Sequence, residues 1–260
     1  MQQVVLKLDS VTHYFGGLRA VSNFHLDLPE GALWGLIGPN GAGKTTIFNL
    51  ITGVYIPTEG NIYFYDKNIT KFKPHEVVSV GIARTFQNLR IFGNLTVLDN
   101  VRIAGHYRLN YGLFDSVLRN PKYYNGEESI TEESLHLLEK FNLKDKAYLL
   151  AKALPYGELR RLEIARALAT HPKLLLLDEP AAGMNPKEVS ELMDLILWIR
   201  DYFKITIYLI EHHMQVVMGI CERIKVMDFG ETIAEGTPNE IQNNPRVIEA
   251  YLGRKANVKG

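Results

Sequence analysis

The feature that most constrains this chain is a glycine-rich segment, GPNGAGKTT, at residues 38–46. It matches the pattern G-x-x-x-x-G-K-[ST] of a phosphate-binding loop, and it directly follows an apolar stretch, residues 32–37, typical of a buried strand. Glycines let backbone N–H groups close around phosphate oxygens, and the start of the following helix favours an anion. The segment therefore predicts a strand, a phosphate-binding loop and a helix in succession.

We expect every residue of this loop to bind a nucleotide: Gly38, Pro39, Asn40, Gly41, Ala42, Gly43, Lys44, Thr45 and Thr46. The Lys44 ammonium group would reach the β and γ phosphates, and the Thr45 hydroxyl would be a ligand of Mg²⁺. The loop therefore predicts a nucleoside triphosphate and Mg²⁺ as cofactors.

Two carboxylates end a second apolar strand, residues 174–177, which is followed by Asp178 and Glu179. Ligands of open α/β sheets gather at the carboxyl ends of the strands. Neighbouring residues of a strand point in opposite directions, so the two acids can have different tasks. We expect Asp178 to hold Mg²⁺ through water and Glu179 to polarise the water that attacks the γ phosphate.

Strands alternate with helices along much of the chain, which predicts an α/β fold with a mainly parallel sheet covered on both faces. The length of 260 residues favours one large domain with an embedded subdomain. Between about residues 100 and 155 the pattern becomes helical, most clearly in residues 132–141. The other predicted strands are residues 4–8, 18–28 and 205–210, and the other predicted helices are residues 45–52, 157–170 and 187–203.

Charge and cysteine content limit the function classes. Lys plus Arg and Asp plus Glu number 29 each, so there is no overall positive field, and we expect no nucleic-acid partner. The single Cys221 lies in an apolar context, which predicts a buried thiol in a reducing compartment. The N-terminal residues lack a signal-peptide pattern, and no run approaches the roughly 18 apolar residues that span a bilayer.

Four further segments stand in the order found in ABC ATPases, and with them the chain resembles that family. They are RTFQNLRIF with Gln87, LPYGE at residues 154–158, PAAGMNP at residues 180–186, and TIYLIEHHM with His212. The resemblance implies that Gln87 senses Mg²⁺ and the attacking water, and that His212 contacts the γ phosphate. It also implies that residues 180–186 cross a dimer interface.

The resemblance adds residues that bind the rest of the nucleotide. Phe15 is similar in position to the aromatic side chain that stacks on adenine, and the adjacent Tyr14 is the alternative. Tyr156, Gly157 and Glu158 occupy the place of the family's signature, which implies that they bind the nucleotide held by a facing subunit.

The signature departs from the family pattern in one respect that bears on turnover. Pro155 stands where the family usually has serine, and proline has neither a hydroxyl nor a backbone N–H. Gly157 and the positive end of the helix that it opens remain to attract an anion. His213 likewise replaces a common aspartate. These departures leave open a binding or regulatory protein that does not hydrolyse ATP.

The family likeness implies a P-loop NTPase (RecA-like) core with an N-terminal antiparallel β subdomain and an inserted α-helical subdomain. The implied ABC ATPase domain covers residues 1–240, with the core in residues 1–99 and 166–240 and the helical subdomain, including the signature, in residues 100–165. Residues 241–260 are expected to form a C-terminal helical tail.

Branch-level features resemble the larger ATPases of branched-chain amino acid importers. They include Tyr156, PAAGMNP, the ending EGTPNEIQNNPRVIEAYLG and an insertion at residues 112–121. The likeness implies ATP-driven uptake of branched-chain or related amino acids at the cytoplasmic face of the cell membrane. Implied partners are membrane permease subunits, a second ATPase subunit in a head-to-tail homodimer or heterodimer and, indirectly, a solute-binding protein. ATPases for urea or lipopolysaccharide, and non-transport ABC ATPases, are the alternatives.

One segment, residues 107–128, is rich in aromatic side chains among Gly, Asn and Pro. It could form a surface that binds a partner, or its aromatic residues could hold a loop against its own domain.

Overall fold

The computed structural model describes residues 3–109, 115 and 120–256. The chain forms two compact units, the first made of Met1–Gln87 and Lys173–Gly260 and the second of Asn88–Pro172. The helical subdomain predicted at residues 100–165 falls inside the second unit.

All strands named here belong to the first unit: β1 (Val4–Phe15), β2 (Leu18–Pro29), β3 (Leu33–Ile37), β4 (Glu59–Phe64), β5 (Lys67–Asn68), β6 (Ile82–Arg84), β7 (Leu174–Asp178), β8 (Thr206–Ile210), β9 (Arg223–Asp228) and β10 (Glu231–Gly236). The helices are α1 (Lys44–Ile51), α2 (Pro74–Ser79), α3 (Val97–Gly105), α4 (Pro121–Lys140), α5 (Tyr156–Leu168), α6 (Pro186–Phe203), α7 (Met214–Ile220), α8 (Pro238–Gln242) and α9 (Pro245–Ala256).

Two sheets organise the first unit. An antiparallel sheet has the order β2-β1-β4-β5, and a six-stranded sheet has the order β10-β9-β3-β8-β7-β6. In the larger sheet β9, β3, β8, β7 and β6 pair in parallel, and β10 is antiparallel to β9. Every residue of β3, β7 and β8 is buried, as expected for parallel strands covered on both faces. The predicted α/β class, with an antiparallel β subdomain and a helical part, is confirmed.

The first strand is longer than predicted. It continues past Leu8 to Phe15 through a β-bulge at Ser10, whose φ is 53°. Polar residues after Leu8 interrupt the alternation that marks a strand, whereas a bulge accommodates the interruption at the cost of local pairing. This extension carries Phe15 to the end of β1.

Helix α4 also begins earlier than the periodicity predicted, at Pro121 rather than at residue 132. Its early turns are polar, so they lack an apolar stripe, but Asn120 caps the helix by accepting from the Tyr123 N–H. Part of the aromatic segment at residues 107–128 is therefore helix. Tyr107, in the same segment, donates to the Thr170 carbonyl at 2.7 Å. Residues 110–114 and 116–119, which include most of the insertion, lie outside the described residues.

Three helices share the same start signal. Asn120, Asn185 and Thr237 act as N-caps, and each is followed by a proline in the first turn. Asn185 caps α6 by accepting from the N–H groups of Lys187 and Glu188.

The second unit packs α3, α4 and α5 around a core that includes Val101, Leu138 and Leu162. A buried ion pair lies within α5, where Arg160 Nη1 donates to Glu163 Oε2 at 2.8 Å. A second nitrogen of Arg160 lies 3.3 Å from the Tyr156 hydroxyl, so the pair fixes the first turn of this helix.

Two expectations from composition concern burial and membrane spans. Cys221 is buried, as predicted, and burial raises the pKa of its thiol well above the ordinary value. Within the described residues, the helices are too short or too polar to cross a bilayer.

Candidate nucleotide-binding site

The phosphate-loop segment lies between β3 and α1, at the carboxyl end of a central strand that pairs with β8 and β9. Gly38 has φ 152°, and a Cβ there would lie 2.1 Å from the Met227 carbonyl oxygen, so the close approach of β9 requires glycine. Gly230 donates to the Ala42 carbonyl at 3.0 Å, which ties the loop to the turn after β9. These contacts fix the loop against β9 and the turn that follows it.

Lys44 begins α1 and turns back into the loop. Its Nζ donates to the carbonyl oxygens of Gly38 at 2.7 Å and Pro39 at 3.1 Å, and the residue is 5% exposed. These bonds place a positive charge inside the loop, where it can meet phosphate oxygens.

A cavity of about 810 Å³ opens above the loop. Most of the predicted site residues line it: Phe15, Asn40, Gly41, Ala42, Gly43, Lys44, Thr45, Thr46, Gln87, Glu179 and His212. Leu18, Arg19, Ala20, Phe229 and Gly230 complete the lining. Gly38 and Pro39 are not part of the wall but hold Lys44.

Phe15 is one of two aromatic residues that line the cavity, the other being Phe229. The Phe15 ring makes edge contacts with His13 at 4.7 Å and Tyr55 at 5.2 Å between centroids, and 43% of the residue is exposed. Tyr14 is also exposed but is not among the lining residues. The arrangement favours Phe15 over Tyr14 as the residue that meets a base.

Glu179 brings together two side chains that are distant in sequence. Gln87 Nε2 donates to Glu179 Oε2 at 2.7 Å, and His212 Nδ1 lies 3.4 Å from the same oxygen. The backbone of Glu179 is left-handed, with φ 47°, and its N–H bonds to the Ile210 carbonyl. A strained non-glycine residue that is held by its neighbours is typical of a functional site.

Asp178 lies at the end of β7 and is 2% exposed. Its Oδ2 accepts from Arg84 at 2.6 Å in an ion pair that is itself buried. Together with the Thr45 hydroxyl and the Gln87 amide oxygen, its carboxylate provides the hard oxygen donors that Mg²⁺ prefers. Thr45 and Gln87 line the cavity whereas Asp178 does not, so the residues present fit a magnesium ion that Asp178 holds through water.

The sequence model of the ABC transporter family matches residues 21–182. The chain belongs to this family. A second model, of the branched-chain amino acid ATP-binding cassette transporter, matches residues 231–257. The subunits described by the first model are the ATPases of transporters, and the prediction of an ABC ATPase is confirmed.

Individual relatives are similar to this chain over almost their whole length. The high-affinity branched-chain amino acid transport ATP-binding protein LivG of Salmonella typhimurium is 46% identical over 97% of this chain and 99% of its own. The crystal structure of the ADP conformation of MJ1267, an ATP-binding cassette of an ABC transporter, has a TM-score of 0.84 at 32% identity and covers 97% of this chain and 100% of its own. A dimeric structure of a post-hydrolysis state of the cassette MJ0796, bound to ADP and Pi, has a TM-score of 0.75 at 26% identity, covering 90% and 98%.

The signature residues of the cassette belong to the second unit, and they are not among the residues that line the cavity of the first. Tyr156, Gly157 and Glu158 form the first turn of α5, with Pro155 as an N-cap that makes no side-chain hydrogen bond. Glu158 accepts from Lys146 at 2.6 Å, and Tyr156 is 43% exposed.

Two residues of the site were missed by sequence reasoning. The buried Glu211 accepts from the N–H groups of Ala181 at 2.7 Å, His212 at 3.0 Å and His213 at 3.1 Å, and so fixes the backbone around His212. Arg84 is the buried partner of Asp178. A charged residue at the very end of an apolar strand was the available signal for both.

Proposed function

We propose that this chain binds ATP with Mg²⁺ and hydrolyses it to drive a branched-chain amino acid importer. The observation that carries the proposal is the cluster of Glu179, Gln87 and His212 beside a phosphate loop in one cavity. A protein that only bound nucleotide would not need a carboxylate held by an amide and an imidazole at this place. The cluster therefore favours hydrolysis over the alternative of binding without turnover.

The chain's own groups have distinct tasks in this proposal. The loop N–H groups and Lys44 hold the β and γ phosphates, and Phe15 stacks on the adenine. Glu179 accepts a proton from the attacking water, while Gln87 and His212 orient its carboxylate. Thr45 and Gln87 would hold Mg²⁺ directly and Asp178 through water, and the ion would neutralise charge on the phosphates.

A second cassette completes the site in this proposal. The start of α5 carries the positive end of a helix dipole and an exposed Tyr156, which suits a γ phosphate presented by a facing subunit. Tyr156, Gly157 and Glu158 would then bind the nucleotide of the partner. The dimeric relative MJ0796 supports a paired arrangement. The partner is either an identical copy or a paralogous ATPase.

The relatives, rather than the cavity, support the proposed cargo and location. LivG of Salmonella typhimurium is named as a branched-chain amino acid transport ATP-binding protein, and the name of the second family model gives the same class of cargo. We place the chain at the cytoplasmic face of the cell membrane, bound to permease subunits that receive cargo from a solute-binding protein. Urea and lipopolysaccharide are the competing cargoes.

Vesicle transport tests the cargo. Permease subunits of the importer, reconstituted with this chain and with ATP inside the vesicle, are expected to take up radiolabelled leucine in the presence of the solute-binding protein. Uptake should cease when ATP is replaced by ADP, because ADP lacks the γ phosphate whose hydrolysis drives transport in this proposal. Uptake of urea with no uptake of leucine would contradict the proposed cargo.

Phe15→Ala is expected to weaken ATP binding by about tenfold, because loss of a base-stacking ring costs about 1–3 kcal/mol. The adjacent Tyr14→Ala removes an aromatic ring of similar exposure from outside the cavity wall, and its affinity for ATP should stay within about twofold of wild type. Titration with a fluorescent ATP analogue measures both. The reverse ranking would assign the base to Tyr14.

A further inference from the structure

Arg84, the last residue of β6, has a largely covered side chain that takes no part in the proposed mechanism. Its side chain is 6% exposed, and that of its partner Asp178 is 3% exposed. Arg84 Nη2 donates to Asp178 Oδ2 at 2.6 Å. A short, charge-assisted bond shielded from water restricts the orientation of both groups.

The other side of the guanidinium group binds the end of α1. Arg84 Nη1 donates to Asn49 Oδ1 at 2.7 Å and lies 3.3 Å from Thr52 Oγ1. The guanidinium carbon lies 5.5 Å from the centre of the Phe48 ring and 5.1 Å from that of Phe86. The planar group is thus fixed by hydrogen bonds at its edges and by aromatic rings near its face.

These contacts connect the two elements that hold magnesium in the proposed function, α1 directly and β7 through water. Helix α1 has Thr45 in its first turn, and β7 ends at Asp178. In the described part of the chain, Arg84 is the side chain that binds the Asp178 carboxylate, and it binds the Oδ2 oxygen and not Oδ1. Groups behind a metal ligand commonly fix its orientation in this way.

We infer that Arg84 is a positioning residue for magnesium: by holding Oδ2 of Asp178 and the end of α1 together, it orients the remaining carboxylate oxygen toward the metal. The inference rests on the proposed function, because it assumes that Mg²⁺ accompanies ATP. A simpler role, in which the ion pair only stabilises the fold, predicts no specific effect on the metal.

Arg84→Met separates the two roles, because it removes the charge and the hydrogen bonds but keeps an apolar side chain. The affinity for a fluorescent ATP analogue is measured in EDTA and across a Mg²⁺ titration. We expect the apparent Kd for Mg²⁺ to rise about 10- to 100-fold, with the affinity in EDTA within about twofold of wild type. Equal loss in both conditions, no change, or tighter magnesium binding would overturn the inference.

A second variant keeps the test decisive if Arg84→Met does not fold. Asn49→Ala removes one anchor of the guanidinium group and no charge, so Mg²⁺ affinity should fall by about threefold with nucleotide affinity in EDTA unchanged. Wild-type magnesium affinity in this variant would contradict the positioning role. Arg200→Met is the matched control, since Arg200 pairs with Glu222 away from the cavity, and it should leave both affinities unchanged.

A double variant tests whether Arg84 acts through Asp178. In an Asp178→Asn background the magnesium affinity is already low, and adding Arg84→Met should lower it no further. A second loss of similar size would place the action of Arg84 elsewhere. If the wild-type chain binds the nucleotide without any dependence on Mg²⁺, both the proposed function and this inference fail. If wild-type binding depends on Mg²⁺ and the variants show the same dependence, only the inference fails.

Discussion

Glu179→Gln is expected to lower ATP hydrolysis by roughly 10²- to 10⁴-fold, because an amide cannot accept the proton of the attacking water. Glutamine has nearly the same shape, so its side-chain oxygen can still accept the hydrogen bond that Gln87 Nε2 donates to Glu179 Oε2 at 2.7 Å. ATP binding should therefore survive. The unhydrolysed nucleotide should hold two cassettes together, and this closed dimer should appear on gel filtration with ATP and Mg²⁺.

The same measurement has a matched control within the first unit. Glu222 forms an ion pair with Arg200 outside the cavity, and Glu222→Gln makes the same chemical change there. Its phosphate release should equal that of wild type, since a surface ion pair is worth about 0–1 kcal/mol. Normal turnover by Glu179→Gln would contradict the role of Glu179 as the base. Absence of phosphate release from the wild-type protein, even with its partner subunits, would favour the alternative of binding without hydrolysis.

Lys44→Met is expected to weaken ATP binding by about 10²-fold or more. Removing one partner of a buried charge pair costs about 2–5 kcal/mol, and Lys44 is the buried cation inside the phosphate loop. Methionine keeps the apolar stem, so the loss reports the ammonium group rather than a cavity in the packing. Isothermal titration with ATP and Mg²⁺ measures the affinity, and circular dichroism checks the fold.

A variant of a second buried lysine of the first unit distinguishes the effect of losing any buried positive charge from the effect of losing the one in the phosphate loop. Lys225 is 5% exposed and pairs with Glu235 on the neighbouring strand. Lys225→Met should lower the free energy of unfolding, because it removes the nearer of the two cations that pair with Glu235, the other being Arg223, but should not change the affinity for ATP. Loss of ATP binding in both variants, or in neither, would contradict the assignment of Lys44.

The local parts of this protein could be predicted because each depends on residues adjacent in the chain. The phosphate loop requires glycines at set positions, and the structure shows why at Gly38, where the Met227 carbonyl leaves no room for a Cβ. The apolar runs that became β3, β7 and β8 were predicted because a strand buried on both faces has no polar positions. Boundaries were predicted less well wherever polar residues lie within an element, as in β1 after Leu8 and in the first turns of α4.

The contacts within the site depend on tertiary structure. Gln87 and Glu179 are 92 positions apart, and Arg84 and Asp178 are 94 positions apart, yet each pair forms a hydrogen bond shorter than 3 Å. No local pattern encodes these distances. Pairing of β6 with β7 brings both pairs together, because parallel strands place their carboxyl ends at the same edge of the sheet.

The sequence by itself determined the α/β class, the phosphate-binding loop and the family that the order of its motifs suggests. Only the tertiary structure decided that Phe15 rather than Tyr14 lines the cavity, that Glu211 fixes the backbone beside His212, and that Arg84 stands behind Asp178. The physical reason is that propensity, glycine requirements and apolar periodicity act between neighbours in the chain. The direction of a side chain and the partner of a buried charge are set by elements that meet only when the sheet has formed.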